Sequence, residues 1–90
     1  MAIVVQIPPP LREPAGGRAD VPVSGATVKA VLDDLGRQYP AITQRILENG
    51  QVRRFINLYL NDEDIRYLDS LTTAVKDGDE LAIIPAVAGG

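Results

Sequence analysis

The sequence contains no cysteine and no histidine. Without these side chains the protein has no thiolate nucleophile, no imidazole base, no Ser-His-Asp triad and no zinc site built from Cys and His. Catalysis that depends on any of those groups is therefore excluded. The absence of cysteine is also consistent with a cytoplasmic protein.

Positive charge and long apolar runs are scarce as well. Nine Lys and Arg against twelve Asp and Glu give a formal net charge of −3, which argues against a nucleic-acid partner because phosphate-backbone binding needs clustered Lys and Arg. No apolar run approaches the roughly 18 residues of a membrane span, so no membrane partner is expected. The N-terminus has no basic region ahead of its apolar residues, so a signal peptide is not expected and the predicted location is the cytoplasm.

The N-terminal quarter of the chain predicts two strands. Alternating Ile3, Val5 and Ile7 indicate a strand with one buried face, and Val21 and Val23 indicate a second strand that returns antiparallel to it. The residues between them predict a loop in which Arg12 and Arg18 are solvated. Pro22 favours an edge position for the second strand, because proline cannot donate to a ladder.

A helix is predicted next. Its apolar residues recur at helical spacing at Val28, Val31, Leu32, Leu35 and Tyr39. Thr27 is suited to cap the first turn, and Pro40 is expected to end the helix. A short second helix is predicted to include Ile42, Ile46 and Leu47 and to close at Asn49-Gly50.

Three further strands are predicted in the C-terminal half, at 55–60, 65–68 and 80–85, with an acidic turn at 61–64 and a tight turn at 77–79. The order is then β-β-α-(short α)-β-β-β, which is typical of an α+β domain. If the first and last strands pair in parallel at the sheet centre, the fold is the β-grasp, a mixed sheet of about five strands packed on one main helix.

Two strand patterns carry further predictions. In the strand at 55–60 the core set is Ile56, Leu58 and Leu60, so Phe55 and Tyr59 point the other way, either packed on the flank of the sheet or exposed for a partner. The last strand is apolar at both alternating sets, Leu81 with Ile83 and Ala82 with Ile84, as is typical of a central strand.

The sequence ends on Pro85-Ala86-Val87-Ala88-Gly89-Gly90. One interpretation is a fraying terminus, where small residues are tolerated. The other is that the carboxylate of Gly90 is the working group, because glycine lacks a Cβ and a Gly-Gly segment can enter a narrow tunnel. The prediction is a domain at residues 1–84 followed by a flexible Gly-Gly tail at residues 85–90.

Three segments, Leu60–Arg66, Lys76–Leu81 and Ile84–Gly90, resemble the MoaD/ThiS family of ubiquitin-like sulfur carriers, which have the β-grasp fold. Within that family the sequence looks closest to the carrier of bacterial cysteine synthesis from O-phosphoserine. The small subunit of molybdopterin synthase has a very similar tail.

The resemblance implies a chemistry for Gly90. An adenylating enzyme of the ubiquitin-activating type would use ATP to activate its carboxylate, and a sulfur donor would displace AMP to leave a thiocarboxylate. The arm from Pro85 through Ala86, Val87 and Ala88 to Gly89 would thread into each partner enzyme. The protein would then be a carried substrate with no bound cofactor, not a catalyst.

Three functions stay open. The first is a sulfur carrier acting with a pyridoxal-phosphate cysteine synthase, and the second is the partner of the molybdopterin synthase large subunit. The third is a ubiquitin-like modifier or interaction module without sulfur chemistry. No metal site is expected, since Asp62, Glu63 and Asp64 lack calcium-loop spacing and predict a solvated turn. Arg53 and Arg54 are predicted to be solvated, with partner contact as the alternative.

Overall fold

The structure is a computed structural model that describes residues 2–85. Its strands are β1 (Ala2–Gln6), β2 (Asp20–Ser24), β3 (Leu47–Glu48), β4 (Gln51–Val52), β5 (Ile56–Leu60), β6 (Glu63–Asp64) and β7 (Glu80–Pro85). Its helices are α1 (Val28–Gln38) and α2 (Pro40–Ile46), with short 3₁₀ turns at Pro9–Leu11, Glu13–Ala15, Ile65–Tyr67 and Ser70–Thr72. Within these residues no helix is long and apolar enough to cross a membrane.

Five strands form one mixed sheet in the order β2-β1-β7-β5-β6. The central pair, β1 and β7, is parallel, with Val5 opposite Leu81. All other pairs in this sheet are antiparallel, including β5 with β7, where Leu58 lies opposite Ile83. The predicted parallel pairing of the first and last strands is therefore confirmed, and so is the β-grasp fold.

The hydrophobic core lies between one face of the sheet and the two helices. The sheet contributes its buried alternating residues and α1 contributes the stripe predicted from its spacing. The fully buried large side chains are Ile3, Val5, Ile7, Val21, Val28, Val31, Leu32, Leu35, Ile42, Ile46, Leu58 and Leu81. Each large aliphatic side chain removed from water in this way stabilises the fold by roughly 1.5–3 kcal/mol.

The ends of α1 are where the sequence places them. The Thr27 hydroxyl accepts a hydrogen bond of 3.1 Å from the backbone N–H of Ala30, which satisfies one of the free donors of the first turn. The helix ends at Gln38, and Pro40 begins α2, since proline is well suited to the first turn of a helix.

The predicted end of the second helix is wrong. It ends at Ile46, and Leu47 instead starts β3, which forms a hairpin with β4. Asn49 (φ 54°) and Gly50 (φ 77°) are the two turn residues of this hairpin. Asn-Gly is strongly favoured in two-residue hairpin turns that need positive φ at both positions, and the pairing of β3 with β4 selects this use over a helix end.

The predicted strand at 65–68 is also wrong. The acidic turn is only Asn61-Asp62, and β6 follows it at once, pairing Glu63 with Leu60. Residues Ile65–Tyr67 then form a 3₁₀ turn. The strand stops because the Asp64 carboxylate accepts the backbone N–H of Arg66 at 2.9 Å and caps this turn.

The connection between β1 and β2 is more ordered than a simple loop. It contains two 3₁₀ turns, in which Leu11 and Ala15 are buried in the core. Arg12 is partly buried, and its Nε donates to the carbonyl oxygen of Ile7 at 3.0 Å, so the prediction that it is solvated is wrong. Arg18 is exposed, as predicted.

Candidate functional site

Five of the eight residues to which the sequence assigns a function lie outside the described residues. They are Ala86, Val87, Ala88, Gly89 and Gly90. Their roles in an arm that threads into partner enzymes, and the flexible tail at residues 85–90, stay predictions.

Pro85 is the sixth of these residues and the last one described. The sequence places it both at the end of the strand predicted at 80–85 and at the start of the tail. The structure confirms that strand, with Pro85 as the final residue of β7, half-buried and opposite Ile56 of β5. The described chain therefore ends beside the start of β5, on a strand that is held between two neighbours over its preceding residues.

The start of β7 is fixed by a pair of side chains, Asn61 and Asp79. Asn61 donates from Nδ2 to Asp79 Oδ1 at 3.0 Å, and its Oδ1 accepts the backbone N–H of Glu80 at 3.0 Å. Asp79 Oδ2 accepts the backbone N–H of Lys76 at 2.9 Å. The two turns that carry the resemblance, 61–64 and 76–81, are thus joined to one another, and both hold β7 in register.

Asp79 is buried and charged. The side-chain hydrogen bond from Asn61, followed by the backbone hydrogen bond from Lys76, holds the pKa of the Asp79 carboxyl below its ordinary value. Both donors favour the ionised form, and together they outweigh the opposing effect of burial.

The Asp77-Gly78-Asp79 turn also forms hydrogen bonds with the first residue of β1. Asp77 Oδ1 accepts the backbone N–H of Ala2 at 2.9 Å, and the N–H of Gly78 donates to the Ala2 carbonyl at 3.0 Å. Gly78 has φ of 90°, which a residue with a Cβ adopts only with strain. The Asp-Gly-Asp turn therefore connects the two central strands at their common end.

The acidic residues after β5 do not form one solvated turn, so that prediction is wrong for Asp64. Asp64 is buried, and the Arg66 guanidinium donates hydrogen bonds to its carboxylate, with Nη2 to Oδ2 at 2.7 Å. The side-chain hydrogen bond from Arg66 lowers the pKa of the Asp64 carboxyl. Among the residues that the structure describes, no cluster of three or more acidic side chains is placed to hold a metal ion.

The two aromatic residues proposed for docking occupy different positions. Phe55 lies in the turn before β5, not in the strand as predicted, and its side chain is 56% exposed. Tyr59 is half-buried within β5, on the sheet face opposite the core set of Leu58 and Leu60. Tyr59 is therefore available on the helix-free face of the sheet, and Phe55 lies in the turn that directly precedes the strand of Tyr59.

Two exposed apolar residues on the helix-free face are missing from the sequence-based site, Val4 (36% exposed) and Ile84 (42% exposed). Ile84 lies opposite Asn57, and Tyr59 lies opposite Ala82, which is half-buried on the same face. The signal for Ile84 was present in the double apolar pattern of β7. That pattern predicts a central strand, and β7 is central in the sheet. Of its apolar residues only Leu81 and Ile83 are buried, because the helices cover one face alone.

We call the set Val4, Tyr59, Ala82 and Ile84 the open-face patch. Its members come from β1, β7 and β5, which are adjacent in the sheet. Val4 and Ile84 are exposed, and Tyr59 and Ala82 are half-buried. Apolar residues grouped on an open sheet face are typical of a protein contact site. Ala82 and Ile84 lie on the strand that ends at Pro85, so a protein docked on them is close to the last described residue.

Comparison with known families identifies the protein family to which this chain belongs. A family model described as the ThiS family matches residues 5–90. The chain belongs to the ThiS family. The membership inferred from the turns and the terminal segment is thereby confirmed.

Two relatives in the ThiS family match almost the whole chain. The sulfur carrier protein CysO of Mycobacterium tuberculosis (strain ATCC 25618 / H37Rv) is 45% identical over 93 residues, covering 100% of both proteins. A chain in the crystal structure of the Amycolatopsis orientalis BexX/CysO complex is 46% identical, with a TM-score of 0.93 over 99% of this chain and 100% of that one.

A third relative has a different kind of name. The small archaeal modifier protein 3 of Haloferax volcanii is 38% identical over 65 residues, which is 72% of this chain and 71% of that protein. The ThiS-family chain described here is thus similar both to sulfur carriers and to a protein modifier.

Proposed function

We propose that this protein is a sulfur carrier for cysteine biosynthesis, and that it carries the sulfur as a thiocarboxylate on Gly90. The observation that carries this proposal is the 45% identity to the sulfur carrier protein CysO along the full length of both chains. The absence of cysteine supports it, since a sulfur carrier without a thiol has to hold its sulfur on another group.

The chemistry follows from the poor electrophilicity of a carboxylate. In the proposal, the Gly90 carboxylate displaces pyrophosphate from ATP to give an acyl-adenylate. A hydrosulfide-level donor then attacks the carbonyl carbon, and AMP leaves with the electrons of the broken C–O bond. The product is a thiocarboxylate whose sulfur is a good nucleophile toward an electrophilic amino-acid intermediate.

This protein's own residues bind and position; the chemistry is done by its partners. Small side chains at residues 85–88 let the terminal segment pass through a narrow entrance, and Gly89 and Gly90 let it reach a reactive centre without a Cβ. The open-face patch, with Phe55 at the start of β5, docks the enzyme that receives the segment.

The proposal names two partners. One is a ubiquitin-activating-type enzyme that adenylates and sulfurates Gly90, and the other is a pyridoxal-phosphate cysteine synthase that consumes the thiocarboxylate. This protein is then a co-substrate with no cofactor of its own. Because activation consumes ATP, the proposal places the protein in the cytoplasm.

A second candidate function is supported by the similarity to small archaeal modifier protein 3. In that case the activated Gly90 carboxyl would pass to an amine of a target protein, forming an amide bond and releasing AMP. The two functions share the adenylation step and differ in the nucleophile that follows.

Intact-mass measurement tests the proposal. The protein is incubated with ATP, sulfide and the activating enzyme, and replacement of oxygen by sulfur adds about 16 Da. A variant that lacks Gly89 and Gly90 is the control. It should gain no mass, and its unfolding temperature should equal that of the full-length protein. If the full-length protein gains no mass with a competent activating enzyme, the sulfur-carrier function is contradicted. If covalent conjugates between this protein and other proteins form and the thiocarboxylate does not, the protein-modifier function is supported.

Co-purification then separates the sulfur acceptors. Retention of a pyridoxal-phosphate synthase by the thiocarboxylated protein supports cysteine biosynthesis. Retention of a molybdopterin synthase large subunit supports the alternative in which this protein is the small subunit of that enzyme, and contradicts the acceptor proposed here.

A further inference from the structure

A groove of about 500 Å³ runs along the outer edge of β5. One wall is formed by the end of the β3–β4 hairpin and the residues after it, 51–54. The other is formed by the 3₁₀ segments that follow β6, at 64–66 and 69–72. The groove is separate from the open-face patch, since none of the four patch residues lines it.

The floor of this groove is a strand edge. β6 pairs with β5 only at Tyr59 and Leu60, whereas β7 pairs with β5 from Ile56 to Leu60. Within the described chain, residues 56–58 therefore have a strand neighbour on one side alone. On the other side the N–H of Ile56 already donates to the carbonyl oxygen of Arg53 at 3.0 Å, so an added strand would have to pair through the remaining backbone groups of 56–58. An edge of this kind can accept an extended peptide as an additional strand, with backbone hydrogen bonds that do not depend on sequence.

Apolar side chains face into the groove from both walls and the floor. Val52, Ile56 and Leu71 are half-buried, pack against the hydrophobic core and line the cavity. An occupant with apolar side chains on one face would cover them, which removes apolar surface from water.

The rim of the groove is basic. Arg53, Arg54 and Arg66 line it together with Asp64 and Asp69, so the groove has one excess positive charge in a chain whose formal net charge is −3. Arg66 is engaged with Asp64, and Arg53 is 3.7 Å from Glu48.

Arg54 differs from the other two arginines. It is exposed, and it makes no ion pair with the residues that the structure describes. Its guanidinium therefore offers donors in a fork geometry that matches a carboxylate. The charge of the groove is complementary to an acidic partner and opposite to that of the molecule as a whole.

We propose that this groove binds an extended segment of a partner protein in which acidic and apolar side chains alternate. The segment adds to the edge of β5 as a further strand, its apolar side chains cover Val52, Ile56 and Leu71, and one of its carboxylates pairs with Arg54. Two strand spacings, about 10 Å, separate such a segment from β7. A partner held there is separated by β5 alone from the strand that ends at Pro85, whatever chemistry Gly90 undergoes.

The test is a titration of the ¹⁵N-labelled protein with a synthetic peptide, acetyl-Glu-Val-Glu-Val-Glu-Val-amide, followed by amide chemical shifts. We expect saturable shifts concentrated at residues 56–58 and 70–72 and weaker binding at higher salt. The lysine counterpart, acetyl-Lys-Val-Lys-Val-Lys-Val-amide, should not bind. No saturable shift with the acidic peptide, or equal binding of the lysine peptide, overturns the proposal.

Two variants and two modified peptides sharpen this test. Arg54→Glu should weaken binding of the acidic peptide by about tenfold or more. Arg18→Glu, the same charge change at an exposed loop residue outside the groove, should leave it within about twofold. Of two peptides N-methylated at alternate residues, only one should lose binding, because a strand bonds to its neighbour through every second residue. Equal effects of the two variants, or equal binding of the two N-methylated peptides, contradict strand addition at this site.

Discussion

Asp79 is the side chain on which the two family-typical turns meet. It is buried, and it receives hydrogen bonds from the Asn61 side chain and from the backbone N–H of Lys76. Asn61 in turn binds the backbone N–H of Glu80, the first residue of β7. The strand that leads to the terminal segment is therefore held at its start by side chains, by β1 at 80–82 and by β5 at 81–85.

Replacing Asp79 with alanine should lower the free energy of unfolding by about 1–3 kcal/mol, because it leaves the Asn61 amide and the Lys76 N–H without their acceptor. Urea denaturation measures this loss. Asp33→Ala is the control: it removes an exposed ion pair with Lys29 and should cost less than about 1 kcal/mol. Equal losses in the two variants would show that the Asn61–Asp79 hydrogen bonds contribute no more to the free energy of unfolding than an exposed ion pair does.

Acid should destabilise the protein through three aspartates. In each of them a hydrogen bond holds the pKa of the carboxyl below the ordinary value of 3.8. The chief donor is the backbone N–H of Ser24 for Asp34, the side chain of Arg66 for Asp64 and the side chain of Asn61 for Asp79. Because the folded pKa is the lower one, this stabilisation is present above 3.8 and is lost as the pH falls through the folded values.

The measurement is the free energy of unfolding as a function of pH from about pH 6 to about pH 2. We expect a decrease that is concentrated below the ordinary value of 3.8. In Asp79→Asn this decrease should be smaller, because one of the three linked carboxyls is gone. An unchanged pH profile in that variant would contradict the linkage at Asp79.

At the scale of the element, α1 shows how much local sequence can decide. Its apolar spacing, its cap at Thr27 and its end before Pro40 were all predicted and all confirmed. These signals are local, because a cap and a helix stripe depend on residues within one or a few turns. The Asn49-Gly50 turn was misassigned for the opposite reason: the same pair fits a helix end or a hairpin, and only the pairing of β3 with β4 selects the hairpin.

Thr27→Ala should lower the free energy of unfolding by about 1 kcal/mol, since the Ala30 N–H loses its acceptor. Thr27→Ser keeps the hydroxyl and should retain most of the stability. Thermal or urea unfolding of the two variants side by side gives the comparison. If the serine variant is as unstable as the alanine variant, the hydroxyl is not what stabilises the helix start.

At the scale of the whole molecule, the sheet has one covered and one open face. Both helices lie on the core side, so Val4 and Ile84 remain exposed although they belong to the two central strands. This arrangement leaves the open-face patch available to a partner, and the parallel pairing of β1 with β7 places it beside the strand that ends at Pro85.

Ile84→Lys should weaken recognition by the activating enzyme without unfolding the domain. Because Ile84 is 42% exposed, the charge stays solvated in the free protein. In the proposed complex it would meet an apolar surface of the enzyme. We expect KM for thiocarboxylation to rise roughly tenfold with little change in kcat. Ala19→Lys adds the same charge in an exposed loop and should leave KM unchanged; a rise of the same size there would point to net charge in place of the patch.

The sequence by itself determined the elements that have strong local signals, such as α1, and it excluded chemistry that needs Cys or His. It also determined the family. All three depend on residue identity and short-range spacing. The positions of 86–90 in an active site stay predictions from the sequence. Only the tertiary structure decided the burial of Asp64, the joining of Asn61 with Asp79, the exposure of Ile84 and the short pairing of β6 with β5. Each of these depends on which strands become neighbours and which face the helices cover, and long-range packing sets both.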